Sequence, residues 1–387
     1  MKKISLVAAT SIAFLGLSVS PFASSVAYAQ SSVTLYGVID EGLNFTTNGA
    51  GHRGYTMVSG DTAASVWGLK GGEDLGGGTS AIFKLENSFY ANNGTIANGG
   101  REFGREAWVG LSSSHYGTFT MGRQYDPTID MWSSFTAAGN EIGDLAAHPF
   151  DNDNSDYDYR INNSVKYLSP VFSGFQVEAL YGFSNATGFA SNRTYSAAAT
   201  YTMGHFSSAI AYLKANNGGL NTTGSIGSDD TVFVASSQQN INAAVKWTFT
   251  NNANVAFAYS HVDVYSPTSN LYVSDIGTQS WNSWKFDNFD VNGQYFFRPD
   301  MWVAADYTFT HARLNGAANT SSQNWHQVAL MLDYDLSKRT SVYIQGAYQH
   351  TNGSTGTGFD QAYIIGSSAT SSRQNQMLYR IALMHKF

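Results

Sequence analysis

The sequence contains no cysteine among its 387 residues, so it can form neither a disulfide framework nor a reactive thiolate. Proline is scarce, with 6 residues, and charged residues make up only 13% of the chain. After the first 29 residues, no stretch is apolar for the roughly 18 residues that a membrane-spanning helix needs. The chain must therefore be stabilised by packing or by backbone pairing, and we expect no helix to span a membrane.

The first 29 residues have the features of a secretory signal peptide. Two lysines precede an apolar run over residues 4–19, and Ala27-Tyr28-Ala29 fits a small-x-small cleavage site. The run is short and Pro21 follows it, which argues against a membrane-anchoring helix. We therefore expect residues 1–29 to be removed and residues 30–387 to form the mature protein.

The expected mature chain is acidic. Without Lys2 and Lys3 it keeps 19 Lys and Arg against 28 Asp and Glu, a net charge of about −9. This balance argues against a nucleic-acid partner, whose phosphates such a chain would repel. No linker divides the chain, and its 38 glycines, its many aromatics and its Asn, Ser and Thr favour strands and turns over helices.

Apolar and polar residues alternate along much of the sequence. In "QVALMLDY", residues 327–334, Val328, Leu330 and Leu332 share one face, whereas Gln327 and Asp333 lie on the other. The last segment, "MLYRIALMHKF", alternates in the same way. Alternation over about ten residues predicts a strand with one apolar and one wet face.

The connections between these strands form two sets that alternate along the chain. Seven are short, such as residues 73–78 and 335–340. Eight are long and polar, around residues 46–62, 91–103, 124–159, 184–193, 214–240, 261–287, 311–324 and 350–374. These connections join sixteen strands, with both chain ends on the side of the short turns. The pattern predicts an all-β fold, a 16-stranded antiparallel transmembrane β-barrel with short periplasmic turns and long external loops. Such a barrel leaves no backbone group unpaired in lipid and encloses an aqueous channel.

Several motifs, in order, resemble the Gram-negative general diffusion porins, above all the β-proteobacterial outer-membrane type. They are "SSVTLYGVIDEGL", "WGLKGGEDLGGGTSAIFKLE", "REAWVGLSS", "RINNSVKYLSPVFSGF" and the terminal "MHKF". The resemblance runs from about Ser32 to Phe387. It implies a channel in the cell outer membrane for passive diffusion of small hydrophilic solutes and ions, without a cofactor. It also implies a homotrimer surrounded by outer-membrane lipid and lipopolysaccharide, a third loop folded into the pore, and recognition of Phe387 by the outer-membrane assembly machinery.

The third long loop, residues 124–159, concentrates acidic residues. They are Asp126, Asp130, Glu141, Asp144, Asp151, Asp153, Asp156 and Asp158. In the resembled porins this loop faces basic residues on the barrel wall, and the motifs place Arg105 and Arg160 there. Alternation independently puts Arg160 on one face with Lys166. Carboxylates opposite guanidinium groups would create a transverse field across a wet constriction.

Alternation predicts further charged side chains on the pore-facing side of the strands. They are Asp40, Lys84, Glu86, Lys166, Asp306, Asp333 and Arg380. Val66 stands where the family commonly has an arginine, and Val38 also faces the pore, so the basic side is thinned and we expect a cation preference. Glu41 falls on the outward face, which suits either a subunit interface or a position near the headgroups.

A substrate-selective channel and an enzyme or adhesin barrel are the alternatives to a general diffusion pore. A substrate-selective channel, for a sugar, phosphate or organic acid, needs an aromatic slide or a dense arginine cluster, and neither is evident. An enzyme or adhesin barrel lacks support, since the nine histidines show no metal-site spacing and no nucleophile motif occurs. We therefore predict that the protein is not an enzyme.

The acidic cluster was also compared with a calcium-binding loop. Asp151, Asp153 and Ser155 occupy its first, third and fifth positions. However, Asp156 replaces the turn glycine and Asn162 replaces the bidentate glutamate. An EF-hand-like site is not expected, although loose cation binding stays open.

Overall fold

The computed structural model describes residues 31–250 and 252–387, so the predicted signal peptide lies outside the described residues. The strands are β1 (Ser32–Gly49), β2 (His52–Ser59), β3 (Val66–Gly76), β4 (Thr79–Tyr90), β5 (Thr95–Ile96), β6 (Glu106–Ser113), β7 (Gly117–Gln124), β8 (Ile161–Leu168), β9 (Phe175–Gly182), β10 (Arg193–Met203), β11 (Phe206–Asn216), β12 (Phe233–Val234), β13 (Ser237–Thr248), β14 (Ala253–Tyr265), β15 (Ser269–Asn270), β16 (Trp281–Arg298), β17 (Met301–Gly316), β18 (Thr320–Ser337), β19 (Thr340–Gly353) and β20 (Asn375–Lys386). Helical structure is confined to α1 (Ala137–Asn140), a π-helical turn at Thr128–Trp132, and 3-10 turns at Asn98–Gly100, Ser133–Phe135, Gly143–Ala146, Pro149–Asp151 and Gly358–Asp360. None of the helices in this part of the chain is long and apolar enough to cross a bilayer.

Antiparallel pairing closes the sheet on itself where the first and last strands meet. One edge of β1 pairs with β20, in a register that sets Glu41 opposite Leu383. The other edge pairs with β2 over its second half and with β3 over its first half. β2 and β3 therefore share one position in the wall, interrupted at residues 60–65. Counted in this way, the described residues form a closed barrel of sixteen positions, and the predicted fold is confirmed.

Two of the predicted long loops, 46–62 and 311–324, are hairpins instead. β1 and β2 are joined by residues 50–51, and β17 and β18 by residues 317–319. The prediction was wrong because it followed the apolar stripe, which ends where lipid contact ends. The strands continue past that level through backbone pairing between polar positions, as where Arg313 lies opposite Ser322. The wall is uneven as a result, since β6 to β9 have 8 residues each, whereas β16 and β18 have 18.

The two faces of the strands differ as the alternation predicts. On β18, Val328 and Leu330 point outward with 42% and 52% of their surface exposed, whereas Gln327 and Ala329 point inward and are buried. Many inward positions carry alanine or a short polar side chain. Small inward side chains leave room in the lumen, and the core of the molecule lies there, between the wall and the third loop.

Candidate functional site: a narrowed passage through the barrel

The third loop, residues 125–160, folds into the barrel and packs on its inner wall. Trp132, Ile142 and Leu145 have no exposed surface. The wall side chains around them are mostly alanines: Ala198, Ala209, Ala211, Ala244 and Ala258 near Trp132, and Ala304, Ala329 and Ala347 near Leu145. Because these alanines are small, the loop's large side chains can lie directly on the wall.

Side-chain amides of the wall hold the loop through its backbone. Gln327 Nε2 donates to the carbonyls of Leu145 and Ala147, at 3.1 and 3.0 Å. Gln345 Nε2 donates to the carbonyl of Ile142 at 2.7 Å. Buried carbonyls outside regular structure need such donors, so the inward position of the loop is specified by hydrogen bonding as well as by packing.

An aromatic cluster joins the third loop to the ends of the long strands that lie on the side of the long external loops. The Phe150 ring packs edge-on against Trp325 and Phe359, with ring centroids 5.6 and 5.4 Å apart. Trp284 lies 5.0 Å from Phe359 on the same measure. This cluster and the loop occupy the lumen beside the later strands, so the larger open spaces in the lumen lie toward the earlier strands.

Two chambers lie open in the lumen of the described part of the barrel. The upper chamber, of about 680 Å³, lies between the third loop, residues 59–66, and the inner faces of β3 and β4. The lower chamber, of about 580 Å³, lies near the short turns, against β6 to β11. Glu106 and Asp130 line both chambers. We therefore identify these two carboxylates with the neck where the chambers meet.

Four of the predicted site residues lie together on the wall side of the upper chamber: Lys84, Glu86, Arg105 and Arg160. Arg105 Nε donates to Glu86 Oε1 at 2.9 Å, and Lys84 Nζ lies 3.1 Å from Glu86 Oε2. Lys84 also pairs with Glu106. Lys84 and Arg105 are thus neutralised by carboxylates of the same wall, whereas Arg160 lies 3.7 Å from Asp230.

Tyr125, at the start of the loop, lies between the two arginines. Its ring centroid is 5.6 Å from the Arg105 guanidinium and 5.0 Å from that of Arg160. Arg160 Nη2 donates to the Tyr125 hydroxyl at 2.7 Å, and Arg160 is only 3% exposed. Arg160 therefore supports Tyr125 and offers solutes little of its own surface.

The loop acids separate into groups with different surroundings. Asp130, Asp144, Asp156 and Asp158 line the upper chamber. The sequence analysis predicts that the whole 151–158 cluster lies at the constriction. Asp151 does not, because it is fully buried. Its Oδ1 accepts the backbone N–H of Asp156 at 2.9 Å, so it closes the turn of its own loop.

Asp153 also differs from the expectation, because it faces the barrel wall. His148 Nδ1 lies 2.7 Å from Asp153 Oδ2, and Ser260 bonds to the same carboxylate. On its other side, His148 Nε2 lies 3.5 Å from Asp290 Oδ2. Burial alone would lower the pKa of His148, but the charge and hydrogen bond of Asp153 outweigh it and hold this pKa well above its ordinary value. The charged His148 thus fastens the loop between two carboxylates.

Burial dominates the pKa values of three loop acids that line the chamber, Asp144, Asp156 and Asp158. It raises the pKa of Asp156 well above its ordinary value, and the charges of Asp144 and Asp151 act in the same direction. It likewise raises the pKa of Asp144 well above the ordinary range. For Asp158, burial raises the pKa to about 6 against the opposing hydrogen bond from Tyr272. The negative charge of these three loop acids therefore titrates closer to neutral pH than that of exposed aspartates.

Two further predicted loop residues lie away from the chambers. Asp126 is 1% exposed and accepts the backbone N–H of Thr128 at 2.8 Å and the Ser196 hydroxyl at 3.1 Å. Glu141 is buried beside Lys246, and burial raises its pKa to about 7. Both residues shape the loop or fasten it, and neither lines the passage.

The predicted strand residues are also divided. Lys166 lines the lower chamber, where it bonds to Asp130 and lies 3.5 Å from Glu178. Asp40 and Arg380 are fully buried and paired at 3.0 Å beneath residues 60–65. Asp306 and Asp333 lie on the inner face of the wall but line neither chamber. They are buried, with 3% and 2% of their surface exposed.

Three residues of the passage were missed by the sequence analysis. Glu106 was detectable by alternation, because in a quoted motif it lies on the face opposite Ala107, Val109 and Leu111. Lys246 lines the lower chamber and was also detectable, because it lies opposite Val245, Trp247 and Phe249 in an alternating segment. Tyr125 lies in a loop without periodicity, where spacing gives no direction for a side chain. Within the described residues there is no grouping of three His, Asp or Glu side chains that could hold a metal ion.

The sequence profile of the family described as Gram-negative porin matches residues 8–354. An outer membrane porin protein of Bordetella pertussis is 29% identical over 90% of this chain and 94% of its own length. Outer membrane porin protein 32 of Delftia acidovorans is 35% identical over 42% of this chain and 46% of its own.

Solved structures share the fold. An anion-selective porin from Comamonas acidovorans superimposes with a TM-score of 0.69 at 22% identity, over 92% of this chain and all of that one. OmpT, an outer membrane protein of Vibrio cholerae in its trimer form, gives a TM-score of 0.63 at 16% identity, over 92% of this chain and 99% of its own. At these identities the likeness extends to the barrel and no further.

Proposed function

Because the chain belongs to the Gram-negative porin family, we propose that its two chambers form the permeation path and that the loop carboxylates make this path prefer cations. The protein is a porin of the cell outer membrane, a channel for passive diffusion of small hydrophilic solutes and ions. The proposal assigns the path and its selectivity to particular side chains.

The observation that carries the proposal is an imbalance of charge in the upper chamber. Three cationic side chains line it, against six carboxylates: Lys84, Arg105 and Arg160, against Glu86, Glu106, Asp130, Asp144, Asp156 and Asp158. Lys84 and Arg105 are paired with wall carboxylates, and Arg160 is paired with Asp230. Asp144 and Asp156 form no ion pair with any described residue. Because burial raises their pKa values, they add negative charge to the chamber only above those raised values.

An unpaired carboxylate beside a narrow path attracts cations and repels anions. At about 4 Å in water a unit charge contributes about 1 kcal/mol, enough to bias permeation roughly fivefold. Salt screens this effect, over about 10 Å at 0.1 M and about 3 Å at 1 M. The cation preference should therefore be clear in dilute salt and weak in concentrated salt.

The anion selectivity named for the Comamonas acidovorans porin is not carried over to this chain. Selectivity depends on the side chains that line the path, and the two chains are only 22% identical. In this chain Val38 and Val66 line the upper chamber, and both are uncharged. The basic side of the passage thus has no surplus charge to set against the loop carboxylates.

We propose a homotrimer for the assembled protein, surrounded by outer-membrane lipid and lipopolysaccharide. Phe387 supports a second proposal, that the assembly machinery recognises the C-terminal strand. The backbone N–H and carbonyl of Phe387 pair with those of Gly37 on β1, at 3.0 and 3.1 Å, so the last residue completes the closing seam. We further propose that diffusion is the activity of the protein and that it is not an enzyme.

Single-channel recording of the purified protein in planar bilayers tests the proposed function. A potassium chloride gradient at low ionic strength should give a reversal potential on the cation-selective side, which moves toward zero as salt is raised. A reversal potential on the anion side would overturn the role assigned to Asp144 and Asp156. Bilayers that stay non-conducting with folded protein would overturn the channel itself.

A further inference from the structure

Residues 60–65, which interrupt the wall between β2 and β3, turn into the lumen and are held there by Asp40. The backbone N–H groups of Thr62 and Ala63 both donate to Asp40 Oδ2 at 3.0 Å. Ser65 lies against the same residue, with its hydroxyl 3.1 Å from the Asp40 carbonyl. Asp40 lies on β1, so the first strand of the barrel fixes the path of this inward segment.

A buried arginine joins the segment to the last strand. Arg380, on β20, lies 3.0 Å from Asp40 and 3.3 Å from Asp61. The Tyr343 hydroxyl donates to Asp40 at 2.6 Å and accepts from Arg380 Nε at 3.0 Å. Asp40 and Arg380 are no more than 2% exposed and Asp61 is 1% exposed, so none of these charges meets permeating ions.

The inward segment touches the tip of the third loop through its backbone. The N–H of Asp144 donates to the Asp61 carbonyl at 2.8 Å. Gln345 Nε2 bridges the two by donating to Thr62 Oγ1 at 2.8 Å and to the Ile142 carbonyl at 2.7 Å. Gly143 lies between them with φ of +75°, and a Cβ there would clash with the Asp61 carbonyl. The contact is therefore close, and the next residue along the loop, Asp144, lines the passage.

We propose that residues 60–65 are a second constriction element and that Asp61, held by Arg380, is a positioning residue for the third loop. In this arrangement the segment fixes how far Ile142 to Asp144 reach into the upper chamber, and it lines that chamber itself at residues 60 and 62–65. The inference rests on the proposed function, since it concerns the width of the same path. It assigns to Asp61 an effect on geometry. Because the charge of Asp61 also contributes to the raised pKa of Asp144, Thr62→Val, which changes no charge, is the variant that tests geometry alone.

Two variants separate this role from an ordinary charge effect. Asp61→Asn keeps the size of the side chain but weakens its bond to Arg380, and Thr62→Val removes the bridging hydroxyl without any change of charge. Asp156→Asn is the comparison, because it removes a carboxylate that lines the same chamber and that meets Asp144 of the third loop rather than residues 60–65. Conductance in 1 M salt reports the width of the permeation path, because charges are then screened within about 3 Å and contribute little to the current. The reversal potential in dilute salt reports the electrostatic field of the charged side chains that line the chamber.

The expected result is a crossed pattern. Asp61→Asn and Thr62→Val should raise single-channel conductance in 1 M salt and add current fluctuations, whereas Asp156→Asn should leave it near the wild-type level. At pH 8, where more of this carboxyl with its raised pKa is ionised, Asp156→Asn should move the reversal potential in dilute salt, which Thr62→Val should not. Wild-type conductance and noise in folded Thr62→Val and Asp61→Asn would overturn the inference while leaving the proposed function intact. A wild-type protein without conductance would instead overturn the proposed function. If Asp61→Asn fails to assemble, Thr62→Val alone decides.

Discussion

Two aspartates of one short cluster show how far a residue's role depends on its neighbours. Asp153 and Asp156 are three positions apart, yet the first is fully buried against His148 and the second lines the passage. Burial would raise the pKa of Asp153, but the charge and hydrogen bond of His148 lower it overall, whereas the pKa of Asp156 is raised. The sequence predicted an acidic constriction loop. It could not assign the individual acids, because a loop without periodicity gives no rule for side-chain direction.

The raised pKa values of the chamber acids make selectivity sensitive to pH. A carboxyl with a raised pKa takes up its proton at a higher pH, so the loop loses negative charge as pH falls through about 6, the pKa of Asp158. We expect the cation preference in dilute salt to be larger at pH 8 than at pH 5, by up to about fivefold in permeability ratio. Reversal potentials across this pH range measure the effect. A preference that is constant down to pH 4 would assign the selectivity to other groups.

His148 provides a prediction about the fastening of the loop. Replacing it by alanine leaves Asp153 and Asp290 buried without their shared cation, which should weaken the loop's attachment by about 3–5 kcal/mol. The readout is the rate of chymotrypsin cleavage within residues 125–160 in detergent, where the intact loop should resist. Asp229→Asn, which affects an exposed pair with Arg101, serves as the control and should leave cleavage unchanged. Equal cleavage of the His148→Ala variant and the wild type would contradict the role assigned to His148.

The same fastening has a definite dependence on pH. The folded-state pKa of His148 is raised, so its contribution is complete below the unfolded value of about 6.5 and is lost as pH rises through the folded value. The pKa of Asp153 is lowered, so its contribution is present above about 3.9 and is lost as pH falls through the folded value. Protection of the loop should therefore be greatest between roughly pH 4 and 6.5 and should decline at alkaline pH.

At the scale of elements, the sequence predicted strands well wherever one face meets lipid. The alternation in β18 and β20 marked both strands and the direction of their side chains, and the confirmed barrel follows from such stripes. The hairpins of β1–β2 and β17–β18 were predicted as loops, because above the lipid both faces of a strand are polar. Residues 60–65 were also unpredictable, since their inward path depends on a carboxylate and an arginine from the two ends of the chain.

The last strand carries a prediction about assembly. Deleting Phe387 removes the two backbone bonds to Gly37 and the aromatic ring that lies over that glycine. We expect less protein in the outer membrane and accumulation of secreted, unassembled chain, measured by fractionation of cells. Phe387→Tyr keeps the backbone pairing and most of the ring, so it should restore assembly. Normal outer-membrane levels of the deletion would show that the closing seam and its recognition do not need this residue.

At the scale of the whole molecule, Glu41 distinguishes a barrel that stands alone in lipid from one that meets another copy. It lies on the outward face of β1, and its two carboxylate oxygens are shielded and have no hydrogen-bond partner among the described residues. A carboxylate facing lipid costs free energy, and an outward polar group at the seam of β1 and β20 is better explained by a partner across a subunit interface.

Two substitutions of Glu41 test the proposed trimer from this residue. If Glu41 bonds across the interface, Glu41→Leu should lower the temperature at which trimers dissociate in SDS, since the partner's donor is left unpaired at a cost of about 1–3 kcal/mol. Glu41→Gln retains hydrogen bonding and should fall between Glu41→Leu and the wild type. If Glu41 faces lipid instead, Glu41→Leu should stabilise the barrel and leave the oligomer unchanged. Heated and unheated SDS gels of the three proteins decide between these outcomes, and a wild type that migrates only as a heat-modifiable monomer would rule out the trimer.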